Sequence, residues 1–342
     1  MKKEEKKEKD FKTMIGGQAL IEGVMMRGPD KTAYVVRTPE GLVTKEKKLT
    51  PLKDKYPVLG WPFIRGVVNF VASMSDGMKA LTWSAELFPE DEEEPSAPET
   101  PPSKFSLWLD KKLSNEKTQK VVMTISMVIG LVLSVGIFML LPAFLTGLLV
   151  GGALERGIVR NLLEGLVRMT ILVGYMALVS RMKYIKRVFG YHGAEHKTIA
   201  CYEAKRDLTV ENVRGFSRFH PRCGTSFLFM VVIISILFFS LLIPLENLLL
   251  GDQPEGVNLP YMLMRVASRL VFLPFLVAIS YEINRIVGRF DNFLTRFVRA
   301  PGLWLQRLTT VEPDDSMIEV GIESLKLVLP DEAGADEWGK NN

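Results

Sequence analysis

Every histidine and cysteine of this 342-residue chain lies between positions 192 and 223, in YHGAEHKTIACYE (191–203) and FHPRCGTSF (219–227). On a helix, His192 and His196 stand one turn apart, because four residues rotate by about 400°. One helix can in this way present two imidazoles to a single Zn²⁺. Glu195, beside them, is placed to act as general base on a water. The pattern H-x-x-E-H is that of the inverted zinc proteases. Gly193 weighs against a helix here by up to ~1 kcal/mol.

Two imidazoles need further ligands. His220 and Cys223, in H-x-x-C spacing, are the first candidates. Glu203 shares the helical stripe of His192, about 20° around, but rises roughly 10.5 Å beyond His196. It therefore suits a supporting hydrogen bond better than a bond to the same metal. Glu282, in SYEIN, is a further candidate third ligand. Three protein ligands and a water would make a catalytic site for one divalent metal, zinc first by ligand type. A closed set of His192, His196, His220 and Cys223 would make a structural one. Without metal, the two histidines would be surface groups hydrogen-bonded to Glu195 or Glu203.

A second set of charged residues sits in apolar sequence. Arg160, Glu164 and Arg168 recur every four residues in 158–180, and Arg265 and Arg269 stand one turn apart in 262–284. An unpaired charge within a bilayer costs at least ~2.5–3.5 kcal/mol. Pairing of Glu164 with Arg168 is expected, with Arg160 and Arg265 snorkelling outward. The sharper alternative is an intramembrane site for an anionic group such as a lipid phosphate.

These residues need elements to position them. The chain is 47% hydrophobic and 24% charged, in alternating blocks. Residues 121–150 contain no ionisable group and exceed the ~20 residues that cross a hydrocarbon core. Residues 158–180, 227–250 and 262–284 are the other crossings. The expected fold is therefore mainly α, a polytopic membrane protein with about four transmembrane helices in two hairpins (105–180 and 227–290). Between the hairpins, 181–226 holds ten basic and four acidic residues, whereas 251–260 holds no basic and two acidic ones. The positive-inside rule then places 181–226 and both termini in the cytosol, at the cytoplasmic membrane.

Residues 1–13 are a charged tail expected to be disordered, with no signal peptide. Residues 14–60 are expected as a small cytosolic β-element, with strand-like TAYVVRT and LVTKEKKL around Pro39-Glu40-Gly41. In GGQALIEGVMMRGP, Gly16, Gly17, Gly23 and Gly28 mark turns or close backbone approaches. Residues 61–88 read as an amphipathic helix with Ile64, Val67, Val68, Val71, Met74, Met78 and Leu81 on one side, lying on the membrane or, preferably, packed against other helices. An acidic Pro-rich linker follows at 89–104. The segment 291–342 combines an interfacial stretch around Trp304, a short amphipathic helix after Ser316 (Ile318, Ile322, Leu325 and Leu329 on one face) and a tail.

Four motifs, GGQALIEGVMMRGP, YHGAEHKTIACYE, HPRCGTSF and PGLWLQRLTT, together resemble the YqhQ-like family over about residues 14–329. The resemblance implies a multi-pass bacterial membrane protein, with plastid relatives, carrying a domain of unknown function. It further implies a metal-dependent enzyme, with His192, Glu195, His196, His220 and Cys223 as the matching positions.

The leading functional expectation is a metal-dependent hydrolase at the cytosolic membrane surface. Its substrate would be a membrane-protein segment or a lipid-linked molecule. One alternative is a membrane-protein biogenesis or scaffold factor that docks the translocon or ribosome through the basic segment 181–226. Another is a lipid or anion carrier that uses Arg160, Glu164, Arg168, Arg265 and Arg269. Specific DNA binding is not expected, because the net charge of +4 follows from the topological bias.

Overall fold

The computed structural model describes residues 11–50, 55–88, 116–149, 157–251, 257–290, 292–332 and 334–338. Most of the expected charged tail and the whole acidic linker fall outside these residues. Near the N-terminus, β1 (Gly16–Leu20), β2 (Gly23–Arg27), β3 (Lys31–Thr38) and β4 (Gly41–Lys48) form an antiparallel meander in chain order. Thr38 pairs with Gly41, so Pro39-Glu40 is a two-residue turn, closed by Gly41 at φ 134°. The glycine-rich stretch, expected as turns or close backbone approaches, is a hairpin in which Leu20 pairs with Gly23. Gly17 and Gly23 are such approaches, inside strands and crowded by carbonyls. A Cβ on Gly17 or Gly23 would lie 2.5 Å from the oxygen of Met25 or Val35.

The helices are α1 (Ile64–Glu86), α2 (Glu116–Val135), α3 (Leu141–Leu149), α4 (Gly157–Val179), α5 (Lys183–Glu203), α6 (Val210–Arg214), α7 (Gly224–Leu241), α8 (Ile243–Leu250), α9 (Leu259–Arg289), α10 (Phe293–Thr309) and α11 (Asp315–Val328). A single π turn, Gly136–Leu140, joins α2 to α3. Three continuous stretches are long and apolar enough to cross a membrane: Thr124–Leu149, Gly157–Val179 and Leu259–Gly288. The fourth expected crossing is broken, with α7 and α8 bent by 58°. Pro244 in the first turn of α8 has no N–H for the preceding turn, which accounts for the break.

The chain divides into two compact units. The first comprises residues 1–87, 173–235 and 273–342. Side chains alternate along its strands, so Val24, Met26, Ala33 and Val35 share one face. That face packs on Tyr191, Ala194 and Ile199 of α5 and on Met317, Val320, Leu325 and Val328 of α11. Each large side chain buried this way contributes roughly 1.5–3 kcal/mol. The opposite face meets α1, where Tyr34 packs edge-on against Trp83 at 5.9 Å. Asp314 caps α11 by accepting from the Met317 N–H at 2.9 Å. Its predicted stripe is core, with Ile318, Ile322 and Leu325 buried.

Helix α1 reverses the expected packing. Its buried side consists of Gly66, Gly77, Ala80 and Ser84, while Val71, Met74 and Met78 are exposed. Small residues let α1 approach α9 closely, for a Cβ on Gly66 would lie 2.9 Å from that of Tyr281. Bulky apolar side chains cannot make that approach, so they take the other side. The second unit comprises residues 88–172 and 236–272. There Gly165 admits the side chain of Ile236.

Candidate metal centre

Helix α5 sets His192 and His196 on one face, and two other segments fix their rings. His192 Nδ1 is 2.8 Å from the Thr309 carbonyl, and His196 Nδ1 is 2.6 Å from that of Arg218. A carbonyl only accepts, so Nδ1 carries the proton in both rings and Nε2 keeps its lone pair. His192 Nε2 lies 3.1 Å from Cys223 Sγ. His196 Nε2 is buried with no hydrogen-bond partner among the described residues. One ligand atom from each of His192, His196 and Cys223 lies within 4.8 Å of the others. Tetrahedral zinc holds nitrogen and sulfur ligands ~3.5 Å apart, so this donor set fits such an ion.

Local sequence explains the arrangement. Gly193, which weakens the helix, is where the Val311 carbonyl presses on α5, and a Cβ there would overlap its oxygen. The Val311 N–H also donates to the Phe189 carbonyl at 2.8 Å. Thr309 is thereby held against His192. Cys223 precedes α7, with Thr225 Oγ1 and N at 3.3 and 3.5 Å from its sulfur. Burial pushes the Cys223 thiol up, but His196 and the two Thr225 groups outweigh it and hold the thiol below its ordinary value. Burial pushes His196 down, towards the neutral form that binds metal.

Glu195 is buried, and its Oε2 has no partner among the described residues. Burial, reinforced by Cys223, pushes its carboxyl up to about 7, against the opposing pull of His192 and the Gly17 N–H. Gly17 belongs to the first sequence motif, which thus reaches the histidine cluster through β1.

His220 lies outside the three-ligand group. Its N–H donates to Gln306 Oε1 at 2.8 Å, and Gln306 Nε2 donates back to its carbonyl at 2.7 Å. Its ring is 5.6 Å from that of His196, and its Nε2 is 3.6 Å from Glu203 Oε2. Glu203 also accepts from the Thr13 N–H at 2.8 Å and pairs with Arg222. Burial pushes Glu203 up, yet His220, Arg222 and Thr13 together hold it below the usual carboxylate range. Glu282 is engaged elsewhere, since Arg65 donates to both its oxygens at 2.8 and 2.6 Å.

Several partners escape a reading of residue types. The Arg218 carbonyl has no sequence signature, and that of Thr309 is marked only by lying in the same motif as Gln306. Gln306 has one, because it sits in PGLWLQRLTT. Glu22, in the turn between β1 and β2, pairs with Arg187 and accepts from Tyr191 Oη at 3.1 Å, tying the sheet to α5.

The charged residues of the apolar helices form a separate cluster in the second unit. The expected snorkelling of Arg160 and Arg265 does not occur, as both are buried. Glu164 pairs with Arg168 at 2.9 Å, Arg265 at 3.1 Å and Arg269 at 2.5 Å. Glu246, a lone carboxylate in the apolar run 227–250, lies 3.3 Å from Arg265 and 3.7 Å from Arg269. Asn161 Oδ1 accepts from the same two arginines. Pro142 has no N–H to give the Phe138 carbonyl, and Arg168 Nε donates to it at 3.0 Å. Burying these guanidinium groups is offset by carboxylates and amides of the chain itself, which outreach to water would have made unnecessary.

A family model described as "Protein of unknown function (DUF1385)" matches residues 61–331. An uncharacterized protein of Bacillus subtilis (strain 168), YqhQ, is 33% identical over 324 residues, which cover 94% of each chain. No solved structure matches significantly.

Proposed function

The chain belongs to the DUF1385 family of unknown function, and from its site we propose a membrane-embedded, metal-dependent hydrolase with one divalent ion at His192, His196 and Cys223. One observation carries the proposal. Two imidazoles whose Nδ1 protons are spent on carbonyls turn their Nε2 atoms toward one thiol, and one of those atoms, on His196, is buried without a partner. Leaving a buried polar atom unsatisfied costs ~1–3 kcal/mol, and a bound cation removes that cost. Zinc suits two nitrogens and a sulfur, and three protein ligands leave a position open. Bound there, it would supply Lewis acidity towards a carbonyl or phosphoryl oxygen and a more acidic water.

The chain's own groups supply the rest. Glu195, with its carboxyl at about 7, can take a proton and return it near neutral pH. His220, held by Gln306 and Glu203, adds a third buried imidazole beside the first two. The apolar helices favour a bilayer setting, and charge bias favours a cytosolic face for the site. Both suit a membrane-protein segment or a lipid-linked molecule as substrate.

Docking of a translocon or ribosome through basic residues is less favoured. Arg187, Lys197, Arg214 and Arg222 are paired within the chain, to Glu22, Glu312, Asp315 and Glu203. A carrier role is less favoured too, because Glu164 and Glu246 already meet the buried arginines.

The test is metal content. Untagged protein, purified in detergent, is measured by mass spectrometry beside the double variant His192→Ala, His196→Ala and the single variant Cys223→Ser. About one zinc, iron or manganese per chain, lost in both variants, supports the centre. Folded protein that takes up no metal even when zinc is supplied refutes it.

A further inference from the structure

We propose that a cavity adjoining the metal centre binds the phosphate of an anionic lipid headgroup. The cavity, about 110 Å³, is lined by Arg222, Arg285, Arg299, Tyr281, Asn284 and Trp338 together with Pro221, Val287 and Gly288. Three of these nine residues are arginine and none is acidic. Pro221 and Arg222 are the two residues between His220 and the candidate ligand Cys223. The cavity wall is therefore the same turn that carries the thiol.

Each arginine is presented differently. Arg222 pairs with Glu203 and lies over the Trp338 indole at 5.6 Å. Arg299 reaches back from α10 to donate to the Val287 carbonyl at 2.7 Å and to that of Phe290. Arg285 makes no hydrogen bond or ion pair among the described residues. The nearby Glu282 carboxylate is already held by Arg65. A guanidinium group recognises two phosphate oxygens through paired N–H donors, and Arg285, with no hydrogen bond among the described residues, can supply such a pair in this cavity.

The surroundings point to a lipid as the source. Tyr281, Asn284, Arg285, Val287 and Gly288 form the last turns of α9, a helix of membrane-spanning length. On α10, Phe293, Leu294, Phe297 and Trp304 are 86%, 67%, 70% and 50% exposed, an apolar side that water would not favour. Basic and aromatic residues at the end of an apolar helix belong to the headgroup layer of a bilayer. A headgroup phosphate seated here would bring a lipid's ester bonds towards the turn that carries Cys223. That use of the cavity rests on the hydrolase reading, whereas phosphate binding does not.

The experiment measures equilibrium binding of dihexanoyl-phosphatidic acid, dihexanoyl-phosphatidylcholine and inorganic phosphate to the full chain in a non-ionic detergent. Phosphatidic acid should bind at least about tenfold more tightly than phosphatidylcholine, and Arg285→Gln should weaken it about tenfold, with Arg285→Lys intermediate. Arg285 holds no other group, so these variants should retain the wild-type melting temperature. Inorganic phosphate that competes at similar concentration would make free phosphate the source. Competition by the lipid alone would make it the headgroup, and either result supports phosphate recognition. No binding of either phosphate probe, or unchanged affinity in Arg285→Gln, overturns the proposal. Metal uptake by the wild-type chain, with the double variant His192→Ala, His196→Ala as the blank, separates the two readings. Phosphatidic acid bound by a protein that never holds metal keeps the cavity and removes the hydrolase, and metal without phosphatidic acid does the reverse.

Discussion

Replacing Glu195 by Gln should make the metal-free protein more stable, and more so at high pH than at low. The carboxyl is at about 7 in the folded chain against an ordinary 4.5. A raised carboxylate contributes stability fully below its unfolded value, and that contribution disappears as pH rises through the folded one. For these two values, wild type loses ~1 kcal/mol at pH 5 and ~3 kcal/mol at pH 8 relative to a side chain that stays neutral. Glutamine stays neutral at nearly the same volume. Its amide carries a constant cost at the site of the unpartnered Oε2, and that cost cancels between the two pH values. The advantage of Glu195→Gln should therefore grow by ~2–3 kcal/mol from pH 5 to pH 8, or roughly 3–4 °C in melting temperature for a chain of this length. Thermal unfolding in detergent with a chelator, followed by tryptophan fluorescence, reads it. Added zinc should shrink the difference, because a cation beside Glu195 favours its charged form. An advantage that is the same at both pH values would refute the argument.

Two other substitutions probe how the sites are held. Gly193→Ala gains ~1 kcal/mol of helix propensity but forces the Val311 backbone away, at ~1–3 kcal/mol. Its melting temperature should fall and its zinc content should drop with the displaced Thr309 carbonyl, so a more stable variant with full metal would count against the packing described. Glu164→Gln leaves Arg168, Arg265 and Arg269 without their shared carboxylate and should cost ~3–5 kcal/mol. A melting temperature within about 1 °C of wild type would show that the cluster is not held by that charge.

Local signals in the sequence were legible, and long-range ones were not. The period-two runs in 32–49, the apolar stripe of α11 and the four long apolar blocks each declare themselves within a dozen or two residues. The one-turn spacing of His192 and His196 survives because α5 forms despite Gly190 and Gly193. What the sequence could not show is why those glycines are there. Met317 and Val311 press on them from more than a hundred residues downstream. Glycine in GGQALIEGVMMRGP suggested turns or close approaches alike, because which of the two it serves depends on carbonyls of neighbouring segments. For α1, apolar periodicity named two sides correctly but not which one is buried, since small residues pack helices as well as large ones do. Glu246 was hidden for a different reason. One carboxylate in an apolar run carries no meaning until its arginine partners are in place.

The sheet is synthesised long before the helix that completes it. The Ser324 hydroxyl donates to the Val24 carbonyl across 300 residues, and Met14 and Asp336 are bonded through their backbones. At ~5–20 residues per second, a ribosome needs roughly 15–60 s to travel from one end of that bond to the other. Through that interval Val24, Met26, Ala33 and Val35 wait without α11, while the apolar helices between emerge and must be inserted. The ring of His192 is then fixed late, because the Thr309 carbonyl that accepts from it is made more than a hundred residues after it.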